Sequence, residues 1–408
     1  MRSRSVRPSA VPTKTDRPVE TAPTYWLRGT GDGDGQPPTA LPGRVGVLVV
    51  GGGLMGVASA YWLARRGLDV LVCEARRLGY GASGRNIGVV LPAPRPTEDC
   101  ALLDEVLHEE RVDAGYQEAG HLTLASSAQV WDRVRAEVAR RPAGAAPLHA
   151  LTRPECEDLL GMRINRRFAG GRWATDGRGV DPVRLVDGLG RAAREHGAAV
   201  ATGTRVRTVA PVRGGGRLAA DTSRGRVIAD AVVLACHLDI GRFVPSLAGA
   251  LTPARGQVLA TAPTRPMFRF GMAVDWGSVY WRQAADGTIL LGGGRQVDPD
   301  REQSPRALVN PRIQRHLDGF LPDAFPDLPP LRTSQRWAGV MDCTPDGRPV
   351  VGRVTGQADR WVIGGFGGHG IPPALATARA LAEAVATGTD PELLAPFAPD
   401  RFHPSDQP

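Results

Sequence analysis

Hydrophobic positions along the chain follow two kinds of pattern. Apolar runs without alternation occupy residues 45–50 (VGVLVV), 69–74 (DVLVCE) and 226–235 (RVIADAVVLA). Such runs predict strands buried on both faces of a parallel sheet. Between the first two lies VASAYWLARRG, residues 57–67, a helical stretch that closes on Gly67. Strand, turn, helix and strand in about thirty residues make a βαβ unit. Further helices are predicted over 101–118, 128–140, 183–196 and 372–386, the last opening on Pro372-Pro373. Short strands are predicted at 89–91, 121–125, 199–200, 350–351 and 361–363. From 252 to 295 the pattern changes to successive strands (QVLAT, SVYWRQ, TILLGGG), with Asp286-Gly287 as a hairpin turn. Strands grouped between βαβ units predict a second, sheet-based domain.

The 408 residues, 42% hydrophobic and 23% charged, are enough for two packed domains and exclude global disorder. A net charge of +8 raises a nucleic-acid partner, yet Lys14 is the single lysine among 50 basic residues, and the arginines are dispersed among acids. No basic block forms, so no nucleic-acid partner is expected. Five scattered cysteines without a CxxC pair predict free thiols, with no disulfide framework and no metal site. Residues 45–64 carry no charge and are bracketed by Arg44 and Arg65-Arg66, as a membrane span would be. Gly51-Gly52-Gly53 at their centre favours another use. Residues 1–43 read as a flexible tail, apart from Tyr25-Trp26-Leu27, expected as a local packing patch. The opening Met1-Arg2-Ser3-Arg4 has no apolar stretch behind it, so a cytoplasmic location is expected.

Gly51-x-Gly53-x-x-Gly56 follows the first buried strand and opens the first helix. In that context the pattern is a dinucleotide-binding fingerprint. Gly51 allows the tight turn, Gly53 the close approach of a pyrophosphate, and Gly56 the packing of helix on strand. The helix N-terminus adds partial positive charge. Glu74, ending the second strand, suits the ribose hydroxyls of NAD or FAD, and the fingerprint alone does not choose between them.

The following segment does. Residues 76–88 read RRLGYGASGRNIG. This resembles the stretch that runs beneath the flavin in the D-amino-acid-oxidase-type flavoprotein superfamily, with its glycine oxidase, sarcosine oxidase and γ-glutamylputrescine oxidase branches. The resemblance covers residues 44–388. It includes GRGVDP at 177–182, Thr204-Arg205-Val206, Pro253-Ala254-Arg255-Gly256-Gln257, Tyr280-Trp281-Arg282 with Asp286-Gly287, Trp337-Ala338-Gly339, Asp346-Gly347-Arg348-Pro349 and the glycine loop 364–370. It implies an α/β fold: a glutathione-reductase-type, Rossmann-like FAD-binding domain (44–98, 168–236, 336–390) interleaved with a mixed or antiparallel-sheet substrate domain (99–167, 237–335). Residues 391–408 would be a C-terminal tail. The resemblance further implies that FAD is held by Gly51, Gly53, Leu54, Met55, Gly56, Glu74, Ala75, Arg76, Ser83, Gly84, Arg85, Asn86, Val206, Gly339, Gly367, Gly368, His369, Gly370 and Ile371. Cys343 stands where some sarcosine oxidases tether FAD, but Cys343-Thr344-Pro345-Asp346 lacks that spacing, so FAD is expected to be non-covalent.

Two departures concern the substrate. Glycine oxidases carry an arginine just after W-A-G to clamp a carboxylate; Met341 stands there. The lysine that sarcosine oxidases place after G-H-G-x is replaced by Pro372. The catalytic candidates are Tyr280, Arg282 and His369. Tyr280 and Arg282 share one face of a predicted strand. Arg282 serves either as a carboxylate partner or as a structural arginine. His369 serves either in acid–base chemistry or as a packing residue. Trp337, Met341 and Trp281 suggest an apolar pocket. The expected reaction is oxidation of the C–N bond of an amino acid or N-substituted glycine to an imine that hydrolyses, with oxygen reduced to hydrogen peroxide. Two alternatives stand beside it: a dehydrogenase that hands electrons to a quinone or carrier, and a non-catalytic nucleotide-binding or membrane-anchored protein. The oligomeric state is left open.

Overall fold

Strand Arg44–Val50 pairs in parallel with Val70–Cys73 on one side and with Gly225–Leu234 on the other. Both its faces are covered, which explains why every side chain after Arg44 is apolar or absent. The parallel order continues to Ala199–Ala201 beyond Val70–Cys73, and to Arg360–Gly364 beside the end of Gly225–Leu234. Helices Leu54–Arg65, Pro182–Glu195 and Ala374–Thr387 contribute to one core cluster on this sheet. The computed structural model describes residues 19–20, 23–28, 40–90, 98–142, 147–357 and 359–402. The rest of the expected N-terminal tail, Leu91 and residues 403–408 lie outside the described residues.

The second sheet has eight strands in the order Thr333–Cys343, Thr252–Thr261, Ile289–Gly293, Val279–Gln283, Gly271–Val274, His121–Ala125, Gly170–Ala174, Leu148–Thr152. It is mixed, because Gly271–Val274 runs parallel to His121–Ala125. On one face Leu259, Trp281 and Leu291 pack with Ile313, Leu317 and Phe320 of helix Pro311–Ala324. On the other, Val258, Ala260, Leu290 and Trp337 pack with Ile87 of the glycine-rich loop. This face receives the loop that leaves the first sheet.

Four expectations change. The predicted helix 101–118 ends at Glu109, and Gln117–Glu118 is a strand paired with Arg178–Gly179. Arg111 and Gly115 take left-handed backbone, with φ of 50° and 54°, and turn the chain out of the helix. Gly170–Ala174 and residues 336–343, expected within the FAD-binding domain, find their ladder partners in the second sheet. Residues 391–402, expected as part of a tail, form two short 3-10 turns with Leu394 and Pro399 buried. Tyr25-Trp26-Leu27, expected to pack locally, instead meets residues 60 and more positions away. Residues 45–64 divide into strand, glycine turn and a 12-residue helix. Among the described residues, no helix is long and apolar enough to cross a membrane.

One buried ion pair fixes the back of the second sheet. Arg255 and Glu302 are 2% and 0% exposed and meet at 2.7 Å. Glu302 also accepts from Gln257 and Asn310, both at 2.8 Å, so its oxygens are well supplied with donors. Arg255→Met strips the guanidinium while leaving the carboxylate buried, and is expected to cost about 3–5 kcal/mol. Urea unfolding measures this, and the double variant R255M/E302Q is expected to recover part of the loss.

Candidate functional site

The fingerprint turn is fixed by close backbone approach. Gly51 has φ +110°, and a Cβ on Gly56 would stand 1.9 Å from the Gly51 carbonyl oxygen. Any side chain at Gly56 would push the helix off the strand. Helix Leu54–Arg65 starts from Gly53, which offers no capping side chain, and its first turn holds no acid. Its positive end is therefore available to an anion. Ser83 folds against this end, its hydroxyl oxygen accepting from the Leu54 N–H at 2.9 Å. The Glu74 carboxylate accepts from the N–H of Gly52 (2.7 Å) and of Arg76 (2.8 Å). Residues 203–206 are drawn to the same strand end, with Thr204 N–H donating to the Glu74 carbonyl and Gly203 N–H to that of Arg76. This brings Val206 to the side where Ala75 and Arg76 lie.

The loop 79–88 leaves this corner and crosses to the second sheet. Asn86 braces it internally, donating to Ser83 O at 2.7 Å and accepting from Gly88 N–H at 2.8 Å. Arg85 is buried; its guanidinium donates to the carbonyls of Ala338 (3.1 Å) and Tyr80 (3.3 Å). Burial pushes its pKa down from the ordinary arginine value. A Cβ on Gly339 would lie 3.0 Å from that of Arg85, so bare backbone at Gly339 lets the loop sit on the sheet.

Gly256 and Gly339 are register partners. The methyl of Met341 and the hydroxyl of Tyr280 stand 3.8 and 3.9 Å from the Cβ position of Gly256, and Met341 Sδ would meet a Cβ on Gly368 at 2.6 Å. Tyr280, Gly256, Gly339 and Met341 are all partly exposed. They form the floor of a recess and carry no charge themselves, while the Arg295 guanidinium is near enough to act on Tyr280. Burial raises the pKa of Tyr280, which keeps its hydroxyl protonated. Residues 364–370 overhang this end, and Met55 reaches them at Gly370, 3.1 Å from its Cβ position. Ile371, just beyond, packs against the first domain's core. His369 is exposed on the crest, with Nδ1 3.2 Å from the Gly367 carbonyl.

The other sequence candidates lie apart from this floor. Trp281 points to the opposite face of the sheet, with its ring 5.6 Å from those of Phe320 and Phe325. Trp337 is fully buried and donates to the Arg85 carbonyl at 2.9 Å. Arg282 donates from Nη1 to the carbonyls of Gly88 and Val180, both at 2.9 Å. Burial pushes its pKa down to about 10.

A family model described as FAD dependent oxidoreductase (DAO) matches residues 46–384. The chain belongs to this family. The oxidoreductase is 28% identical over 385 residues to an opine oxidase subunit of Agrobacterium tumefaciens, covering 88% of this chain and 98% of that one. It is 26% identical over 381 residues to the γ-glutamylputrescine oxidoreductase of Escherichia coli, with 83% and 82% covered. Its fold matches the crystal structure of glycine oxidase from Geobacillus kaustophilus with a TM-score of 0.75 at 23% identity, covering 88% and 98%. The cofactor of the family is FAD, and the residues of the oxidoreductase fit it: an open helix N-terminus, a carboxylate at the next strand end and a glycine-rich path between the domains.

Asp342 was not singled out from the sequence. It is buried; its carboxylate accepts from Gly365 N–H at 2.8 Å and its carbonyl from Gly367 N–H at 2.9 Å. His237 Nε2 lies 3.5 Å from the same carboxylate. The pairing joins residues 23 positions apart, and an acid near the end of a strand carries no spacing signal. Asp342→Ala is expected to release the 364–370 loop and weaken FAD binding by roughly tenfold, the worth of one charge-assisted hydrogen bond. Fluorescence titration of apoprotein with FAD measures it.

Proposed function

We propose that the oxidoreductase oxidises the C–N bond of an amine or N-substituted amino acid to an imine, which water then hydrolyses. What carries this reading is the uncharged floor of Tyr280, Gly256, Gly339 and Met341, in a chain whose relatives include, by name, an opine oxidase and a γ-glutamylputrescine oxidoreductase. Opines are N-substituted amino acids and γ-glutamylputrescine is an amine, so both offer a hydrogen-bearing carbon beside nitrogen. With four uncharged floor residues, and Arg295 as the cation that acts on Tyr280, the site favours the neutral amine over the ammonium, because a positive charge there is desolvated without an anionic partner on the floor. FAD held by the residues described above would supply a two-electron acceptor for the hydride of that carbon, with oxygen as the final acceptor and hydrogen peroxide as the product of this reading.

The chain's own groups then have limited tasks. The Tyr280 hydroxyl orients the substrate nitrogen or an acid group by hydrogen bonding. His369 stands exposed at the rim, with Nδ1 beside the Gly367 carbonyl. Met341 offers a thioether where the resembling glycine oxidases hold an arginine, so the substrate's acid group, if it has one, is not gripped there. The Arg282 Nη1 donor is engaged by two carbonyls, which favours a structural over a carboxylate-binding role. FAD is held without a covalent bond; burial pushes the Cys343 thiol up, away from the reactive thiolate.

Amines, amino acids and N-alkylated amino acids are screened anaerobically for bleaching of the flavin absorption. Bleaching by at least one amine is expected, and bleaching by none overturns the reading while leaving the fold intact. Oxygen is then admitted: one peroxide per bleached flavin identifies an oxidase, and its absence a dehydrogenase that uses another acceptor. With the substrate found, kcat/KM is expected to rise with pH toward the substrate amine's own pKa, and Tyr280→Phe to lower it by roughly tenfold, as loss of one transition-state hydrogen bond does. Denaturation is expected to release all the yellow colour from the chain.

A further inference from the structure

The glycine-rich loop 79–88 holds three consecutive main-chain carbonyls, at Gly84, Arg85 and Asn86, that each accept a side-chain hydrogen bond from a distant part of the chain. Thr24 Oγ1 donates to Gly84 O at 2.9 Å, Trp337 Nε1 to Arg85 O at 2.9 Å, and Trp26 Nε1 to Asn86 O at 2.7 Å. Two of the three donors come from one short segment, residues 23–28. Thr24 is wholly buried although its sequence neighbourhood is polar, and Leu27 is buried beside it. The Tyr25 and Trp26 rings meet edge to face at 4.7 Å and pack on the cluster of Ile87, Leu290 and Trp337.

The segment is itself tied to the second sheet. Arg28 Nε donates to Gln335 Oε1 at 2.8 Å, Gln335 donates back to the Pro23 carbonyl, and the Tyr25 hydroxyl pairs with Asp286. The Arg282 guanidinium, which holds Gly88 O, lies 5.5 Å from the Trp26 ring. Residues 23–28 therefore stand between the loop and the sheet, bonded to both.

We propose that this segment is a clasp that orders the flavin-side loop, and that Thr24 and Trp26 are positioning residues for FAD. The proposal rests on the reading of residues 79–88 as the loop that lies along the flavin. The gain is entropic. A loop with glycines at 79, 81, 84 and 88 has much backbone freedom to lose. Donors that fix three successive carbonyls remove that freedom before the cofactor arrives, and preorganisation of this kind appears as affinity. The same bonds hold the side of the loop that carries Arg85, and hence its seat on Gly339.

The test follows FAD leaving the diluted holoenzyme by the recovery of flavin fluorescence. Trp26→Phe keeps an aromatic ring and removes only the N–H; Thr24→Val keeps the shape and removes only the hydroxyl. Each is expected to speed FAD release about two- to tenfold, the range for loss of one buried hydrogen bond. Thr24→Ser is expected to release FAD at the wild-type rate. Gly84→Ala perturbs the loop directly, since a Cβ there would lie 2.3 Å from the Gly79 carbonyl, and is expected to release FAD faster still. Wild-type release from both T24V and W26F, with G84A fast, overturns the clasp and leaves the loop reading standing. Wild-type release from G84A as well shows that the loop reading itself is at fault. If T24V does not fold, W26F alone decides: an unchanged release rate and an unchanged flavin spectrum overturn the proposal.

Discussion

The register of strand Thr333–Cys343 against Thr252–Thr261 is the constraint on which the site depends. With a two-residue period, one face of the strand carries Gln335, Trp337, Gly339 and Met341 in turn. Gln335 holds the segment at residues 23–28, Trp337 holds the Arg85 carbonyl, Gly339 receives Arg85, and Met341 meets Gly368. Three pieces of chain remote in sequence are thus indexed by one ladder. A slip of one residue would turn all four contacts to the helical side of the sheet. The wholly buried Trp337 and its partner Val258 make such a slip costly, since both fill the joint between the domains.

Arginine acquires a meaning here that composition alone did not suggest. A chain with one lysine must satisfy its buried cationic positions with guanidinium groups. Arg85, Arg282 and Arg360 are buried and donate to main-chain carbonyls: Ala338 and Tyr80, Gly88 and Val180, and Phe243 and Val209, respectively. A planar fork of donors reaches carbonyls on two separate strands or loops at once, which an ammonium on a flexible stem does less well. These side chains act as cross-braces between backbone segments.

The parts of the fold that were legible in the sequence are those where backbone chemistry dictates residue type. Gly51, Gly53 and Gly56 answer to one turn and one helix–strand contact, and the uninterrupted valines of the first strand to burial on both faces. The Asp286-Gly287 turn also stood out, because only a few residues suit its geometry; Gly287 has φ +85°. What escaped notice depends on pairing at long range. Thr24 stands in a polar segment whose composition predicts a tail, and Trp26 in an aromatic cluster whose sequence predicts only local packing; the carbonyls of the loop give both a purpose. Trp281 and Tyr280 are neighbours in sequence, yet the pleat sends one into the aromatic core and the other to the recess. The helix expected over 101–118 failed for a similar reason, since Gln117–Glu118 is claimed by strand pairing that local propensity cannot register.

Gly256 leaves a one-residue gap in the side-chain layer of the sheet, whereas the space over its register partner Gly339 is taken by Arg85. The depth of the gap is set by a missing methyl group, so the smallest possible replacement, alanine at Gly256, changes the volume of the recess at ordinary contact distances from Met341 and Tyr280. This site acts as a steric dial. Through it a lineage, or an engineer, alters which alkyl groups are admitted while the seat of the flavin-side loop on Gly339 stays as it is.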